Sequence, residues 1–353
     1  MRVLVTGAGG LIGRELTGHL AGRGHGVVAL QRRDVPLRRN DGRPVPSAPW
    51  AGAPPAPGEV LTTVGDVRQP RLGLPGAVAG GLDLVLHCAA VTGFNLDAET
   101  YEQVNIGGTA NALAFAGLVP MLHVSTAYVC GLRSGPVLER ELDAGQEFAN
   151  GYERSKAAAE GLVAAARDQG RTVAVARPSV VVGTSGDGVI GVFGSIYGLI
   201  RLVAEGRIRV LPVAPGASLD LVPIDHVVGG LTDIAEAMDR AAGQTFHLVS
   251  GAPVPLAFLA DLALDYPGLY APDLVPPGQF DTAALMPGEQ ALYGQVAALL
   301  QGYLHRDPHF EDRNLRALSG RACPPTGHGF LRGLIDHCLA TGYLKERRPL
   351  EAA

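Results

Sequence analysis

Cysteine is scarce: the 353 residues carry four, Cys88, Cys130, Cys323 and Cys338, far apart and without CxxC spacing. That argues against both a disulfide framework and a structural zinc site, and a reducing, cytoplasmic setting is expected. An excess of positive charge is missing as well. Net charge is −5, with both signs distributed along the chain, so no general polyanion surface is indicated and nucleic acid is not an expected partner. Long apolar runs are absent: Val180 to Val192 is broken by glycines and Asp187, and no membrane span is expected. The amino terminus enters a strand-like MRVLVTG at once, and no signal peptide is expected. There is no HExxH, Walker lysine motif or GxSxG elbow, and Pro308 interrupts the pair His305/His309, so no metal site is expected.

What is present is an alternation of short β-branched runs and helical patterns, the signature of a parallel sheet covered by helices. Strands are expected at Arg2 to Val5, Val27 to Leu30, Leu82 to His87, Met121 to Ser125 and Thr172 to Ala176. Helices are expected near Leu11 to Ala21, Ala98 to Ala116 and Gly151 to Arg167. Residues 34–58 hold seven prolines among arginines and glycines and read as an exposed loop inserted after the second strand. After Arg177 the pattern loosens, with proline-rich breaks near Ala252 to Pro255 and Ala271 to Pro277. The length fits one large domain with an appended lobe, or two domains. The expected division is a dinucleotide-binding core over 1–178 and a smaller mixed α/β substrate lobe over 179–353, with 218–250 returning to the core.

Val5-Thr6-Gly7-Ala8-Gly9-Gly10-Leu11-Ile12-Gly13 directly follows the first strand and opens the first helix. Glycines there allow a tight turn, close approach of a pyrophosphate and close helix packing, and the helix amino terminus offers N–H groups to phosphate. At the end of the second strand, where an acidic residue would meet the ribose of NAD, the chain has Gln31-Arg32-Arg33. Paired guanidinium groups suit a 2′-phosphate, so NADPH is preferred over NADH, with Asp34 as the residue that would favour NAD. Asp66 of Gly65-Asp66-Val67 could accept a hydrogen bond from the adenine amino group, although Gly and Asp are also common turn residues.

Tyr152 and Lys156 fall four apart in a helical pattern, on one face. A tyrosine with a pKa near ~10 needs a neighbouring cation to act near neutrality, and Lys156 can supply it or hold the nicotinamide ribose. Thr126, with Ser125 second, lies at the carboxyl end of a strand, where a hydroxyl can donate to a substrate carbonyl oxygen. His87 reads as a packed, hydrogen-bonded core residue, and Asn105 as structural within a helix carrying Gly107 and Gly108.

Thr6-Gly7-x-x-Gly10-x-x-Gly13, Asp66, His87-x-Ala89-Ala90, Asn105 with Gly108-Thr109, Ser125-Thr126 and Tyr152-x-x-x-Lys156 together resemble the extended short-chain dehydrogenase/reductases, which are NAD-dependent epimerase/dehydratase-like. Arg177-Pro178-Ser179 and Val222-Pro223-Ile224-Asp225 continue the resemblance over roughly residues 1 to 250. The segments Gly65 to Leu74 and Val124 to Val129 are most similar to the thioester reductase and fatty acyl reductase branch. The resemblance implies a Rossmann-type doubly wound sheet and a cofactor site formed by Gly7, Gly10, Leu11, Ile12, Gly13, Arg32, Arg33, Asp66, Val67, Ala89, Ala90, Tyr152, Lys156 and Pro178. It further implies that NADPH gives hydride, that Tyr152 protonates the carbonyl oxygen with help from Lys156, and that Thr126 orients the substrate. That substrate is a small-molecule carbonyl or an acyl thioester, presented by a carrier protein or coenzyme A; a homodimer is compatible with it. Two other readings compete. A nucleotide-sugar epimerase or dehydratase shares the tyrosine and lysine but often prefers an acidic residue where Arg32 and Arg33 stand. A non-catalytic dinucleotide sensor needs the glycine turn but neither Tyr152 nor Lys156.

Overall fold

The apolar runs pair as eight parallel strands in a single sheet. These are β1 (Arg2–Thr6), β2 (Gly26–Gln31), β3 (Ala48–Pro49), β4 (Val60–Val64), β5 (Leu84–His87), β6 (Met121–Val124), β7 (Val173–Pro178) and β8 (Thr245–Leu248), in the order β8-β7-β6-β5-β1-β2-β4-β3. The computed structural model describes residues 1–75, 78 and 80–345, so the end of the expected substrate lobe, 346–353, lies outside the described residues. Alternation within the strands supplies two cores. Val3, Val5, Val27 and Ala29 face one layer of helices, and Leu4, Val28 and Leu30 face the other. Covered on both faces, β2 and β7 are buried at every position and mostly apolar, and the one charged side chain in them, Arg177, is paired with Glu160.

Strand order reverses between β1 and β5, which opens a crevice at the carboxyl ends of the strands. Helices α1 (Leu11–Gly22), α2 (Gly107–Ala116), α3 (Gly151–Asp168), α4 (Ser195–Ala204) and α5 (Ile224–Glu236) follow in chain order. Helix α5 packs against α1, and β8 beside β7 extends the sheet, so the chain re-enters the core after leaving it at Pro178. Helices α6 (Leu256–Ala263), α7 (Pro287–Leu304) and α8 (His328–Ala340) close around α4 as a third apolar core, which includes Ile196, Leu199, Leu262, Leu304 and Leu334. Among the described residues no helix is long and apolar enough to cross a membrane.

Two segments depart from the sequence expectation. The proline-rich stretch is not simply an exposed loop. Leu37 and Val45 are buried in the core that contains Leu16 and Leu20 of α1, and the Asn40 side chain donates to the Leu11 carbonyl at 3.1 Å. Arg39 pairs with Glu15, and β3 adds to the edge of the sheet beside β4. Prolines prevent a helix here, yet two apolar side chains suffice to fasten the segment over α1. The expected helix Ala98 to Ala116 runs as an α-turn over Ala98–Tyr101, a π-turn over Glu102–Ile106 and then α2. A Cβ on Gly108 would stand 2.9 Å from Val67 Cγ2, so that glycine lets the helix seat against the loop after β4.

Candidate active site

The turn from β1 into α1 is shaped by close backbone approach. Gly7 has φ +68°, and a Cβ there would lie 2.8 Å from the Ala89 backbone; a Cβ on Gly13 would come within 2.2 Å of the Gly7 carbonyl oxygen. Gly10 caps α1 with no side-chain hydrogen bond, and the first turn carries no acid, so the N–H groups of Leu11, Ile12 and Gly13 face the crevice without a competing anion. A cleft of about 390 Å³ runs from this turn past Arg32, Arg33, Asp66, Val67, Ala89 and Ala90. Arg32 and Arg33 are exposed, and among the described residues neither is engaged in an ion pair. Arg68, which the sequence reading passed over, holds Asp66 through both carboxylate oxygens at 2.5–3.0 Å and keeps that carboxyl below its ordinary pKa. Its only sequence signal is the spacing Asp-x-Arg.

A second cavity of about 390 Å³ shares Gly7, Gly10, Cys88 and Ala90 with the first, and its wall adds Leu11, Ile12, Gly13 and Pro178 on one side and Thr126 and Tyr152 on the other. Thr126 follows β6. Its hydroxyl donates to the Pro178 carbonyl at 3.3 Å and accepts from the Tyr128 N–H at 3.3 Å. Ser125 also lines the cavity, and its buried hydroxyl has no hydrogen-bond partner among the described residues. Burial pushes the Tyr152 phenol up to about 12; a hydrogen bond with Thr126 pulls it down, and the Glu153 carboxylate pushes it up. The phenol is therefore protonated near neutrality. Phe94 stacks over Tyr152 with ring centroids 6.0 Å apart.

Lys156 is one of two lysines in the chain and is 2% exposed. Its ammonium donates to the Val124 carbonyl at 2.8 Å and meets His123 Nε2 at 3.4 Å. It lines neither cavity and is not among the groups that shift Tyr152, so spacing on one helix face does not by itself bring the cation to the phenol. Burial lowers Lys156 to about 8, opposed by the charges of Glu160 and Cys88. The two histidines occupy paired positions on β5 and β6, their rings stacked at 5.6 Å, and burial lowers both pKa values, His87 to about 3. Both are neutral. Thr109 Oγ1 donates to the Asn105 carbonyl and so accepts from His87 Nε2; His87 Nδ1 then accepts from Thr6 Oγ1, which itself accepts from Ala89 N–H. That network makes His87 a fully satisfied core residue. Asn105, in the π-turn, bonds both the N–H and the carbonyl of Val91 and reaches Ser155 at 2.8 Å, tying the loop after β5 to α3.

The carboxyl-terminal third reaches the same site. Tyr303, at the end of α7, lines the cavity beside Phe94 and Tyr152. Arg306 forms an ion pair with Glu153 at 2.6 Å, both side chains 2% exposed, donates to the Gly131 carbonyl at 2.6 Å, and lies 4.4 Å from the centroid of the Tyr128 ring. No local pattern marks these residues, because they meet Tyr152 only through tertiary packing from about 150 positions away.

Residues 5–231 match the family described as male sterility protein. The chain belongs to that family. As a member it is an NAD(P)-dependent oxidoreductase of the extended short-chain dehydrogenase/reductase type, a reductase with a nicotinamide cofactor. It is 29% identical over 275 residues to a 2-alkyl-3-oxoalkanoate reductase of Stenotrophomonas maltophilia (strain K279a), covering 75% of each chain. The terminal R domain from the myxalamid PKS-NRPS biosynthetic pathway superposes with a TM-score of 0.79 at 25% identity, over 98% of this chain and 92% of that one. A UDP-glucuronic acid 4-epimerase from Bacillus cereus, in complex with NAD, shares the fold alone, with a TM-score of 0.67 at 17% identity over 97% and 99% of the two chains.

Proposed function

We propose that this family member reduces a carbonyl or acyl thioester carbon with NADPH, with Tyr152 as the proton donor and Thr126 orienting the carbonyl oxygen. The observation that carries the reading is that Tyr152, whose phenol burial keeps protonated, and Thr126 line the same cavity, which continues the glycine-lined cleft. A reduction consumes a proton at oxygen, and a buried tyrosine near 12 holds that proton until negative charge develops. Residues 1–178 and 218–250 would form the cofactor-binding core, and the remainder the substrate wall.

The residues present fit a nicotinamide dinucleotide. Gly7 and Gly13 let the turn close tightly against the Ala89 backbone and against itself, the uncapped start of α1 suits the pyrophosphate, and Val67, Ala89 and Ala90 line the cleft where the adenosine half would lie. Arg32 and Arg33 would hold the 2′-phosphate and Asp66 the adenine amino group; Lys156 would hold the nicotinamide ribose by turning its ammonium from the Val124 carbonyl, where it sits outside both cavities. When bound, the cofactor supplies the hydride. Leu11, Ile12 and Pro178 would wall the nicotinamide side, and Thr126 would donate to the substrate oxygen, with Ser125 beside it. The test of the whole reading is NADPH oxidation with acyl thioesters, aldehydes and ketones; turnover of none of them would sink it.

Removing both guanidinium groups, as Arg32→Ala/Arg33→Ala, is expected to weaken NADP+ binding about a hundredfold, two charged contacts being lost at 1.5–3 kcal/mol each with partial overlap. NAD+ binding, measured by the same titration, should be unchanged. Equal losses for both cofactors would assign the arginines another role.

The Lys156 ammonium sits at about 8, so kcat/KM is expected to fall as pH rises above that value, and Lys156→Arg should move the fall to higher pH. Stability should run the other way. The unfolded chain keeps the Lys156 proton to about 10.4 and the folded chain only to about 8, so between those values unfolding takes up a proton and rising pH stabilises the fold. A flat activity profile from pH 7 to 10 would remove Lys156 from the mechanism.

A further inference from the structure

The Lys156 ammonium has three hydrogens to donate, and the sheet takes two of them. Val124, at the end of β6, accepts at its carbonyl at 2.8 Å and His123 at its Nε2 at 3.4 Å; among the described residues the third hydrogen finds no acceptor. An ammonium can only donate, so Nε2 of the neutral His123 ring carries a lone pair and the ring proton is on Nδ1. That Nδ1 belongs to a side chain with 0% exposure and has no hydrogen-bond partner among the described residues. His87, stacked on it from β5, has both ring nitrogens engaged, by Thr109 and Thr6, so the unpaired atom is particular to His123. A buried N–H left unpaired costs stability, which a hydrocarbon side chain in the same place would avoid. What the imidazole supplies in return is an acceptor facing Lys156.

We propose that His123 is the positioning residue of Lys156: its Nε2 and the Val124 carbonyl form a cradle on β6 that holds the ammonium outside both cavities, and cofactor binding draws it out. This rests on the cofactor reading above and adds to it a residue that lines neither cavity. The other groups around the ammonium offer it little. His87 on β5 and the Cys88 thiol after it are both held neutral by burial. Glu160, one turn on along α3, acts through its charge but is committed to the ion pair with Arg177, and Tyr152, one turn back, is a protonated phenol. Hydrogen-bond acceptors for Lys156 therefore come from β6 alone, and replacing His123 changes its hydrogen bonding without changing any charge. When the ammonium leaves, Nε2 loses its donor, so the cradle competes with the cofactor for Lys156.

The chain has two lysines, Lys156 and Lys345, so lysine labelled with ¹³C at Cε gives two signals, and Lys156→Arg assigns them. In the wild type the Lys156 signal should titrate at about 8. His123→Phe keeps a ring against His87 and removes the acceptor. Its Lys156 titration should fall by about one pH unit, the worth of one hydrogen bond to a charged group, and the alkaline fall of kcat/KM should move with it. His123→Gln, whose amide oxygen can accept, should bring both back toward the wild-type value. At about pH 6.5, where the ammonium is charged in each protein, NADP+ should bind about three- to tenfold more tightly to His123→Phe than to the wild type. NADP+ should also shift the wild-type Lys156 signal and leave that of Lys345 in place, a measurement that needs no variant to fold. A Lys156 titration unmoved in His123→Phe, or a wild-type Lys156 signal indifferent to NADP+, overturns the cradle. A purely structural His123 would lower stability in both variants and leave the titration where it is. Failure of these shifts with substrates still reduced leaves the reductase reading standing. The shifts observed, with no carbonyl compound or thioester reduced, support the cradle and overturn the reductase reading.

Discussion

Tyr152→Phe is expected to lower kcat by about 10²–10⁴-fold, the range associated with losing a positioned general acid, while leaving NADPH affinity unchanged. The substitution removes one oxygen and keeps the ring, so the stack against Phe94 survives and the cavity keeps its shape. What disappears is the proton that the buried phenol, at about 12, retains through the neutral range. Single-turnover measurement with saturating NADPH separates this loss from any effect on binding. Thr126→Val should lose less, because Ser125 offers a second hydroxyl in the same cavity, unpartnered among the described residues. Full activity in Tyr152→Phe would move the proton donor elsewhere, and an unchanged biological role together with no turnover in either protein would favour a dinucleotide sensor.

The glycine turn and the sheet are legible in the sequence because each is encoded locally, by a run of β-branched residues or by glycines spaced for a backbone turn. The surroundings of Lys156 are not. Its partners come from β5 and β6, where His87 and His123 happen to share a register, and from burial that no spacing reports. Leu37 and Val45 were hidden by the prolines around them, since composition describes a loop's backbone and says nothing of the two side chains that anchor it. Arg68 was overlooked because an aspartate two residues from an arginine is commonplace on any surface; only its place in the glycine-lined cleft gives the pair meaning. Tyr303 and Arg306 were unreachable for a different reason. They lie at and just beyond the end of α7, about 150 positions from α3, and carry no motif.

Arg306 is nonetheless where the second large effect is expected. Its guanidinium closes a ring of contacts around the first turn of α3: Glu153 through two nitrogens, the Gly131 carbonyl, and the face of Tyr128. Arg306→Met would leave the Glu153 carboxylate buried with only the Ala149 N–H and the Asn150 amide to meet it. Breaking a buried pair in this way typically costs about 3–5 kcal/mol, because the stranded charge, and not the lost attraction, dominates. Urea unfolding of Arg306→Met should show a loss of that order, and Glu153→Gln/Arg306→Met should recover much of it, since the double variant strands no charge. Arg306→Lys should fall between wild type and Met: an ammonium can meet Glu153 but has no planar fork with which to reach the Gly131 carbonyl as well. Activity should follow stability. An unneutralised Glu153 raises the neighbouring phenol further and makes Tyr152 a poorer donor, so kcat of Arg306→Met is expected to drop even at temperatures where the protein remains folded. If the double variant proved no more stable than Arg306→Met, the packing of Arg306 against Tyr128, and not its charge, would be what holds the carboxyl-terminal third to the catalytic helix.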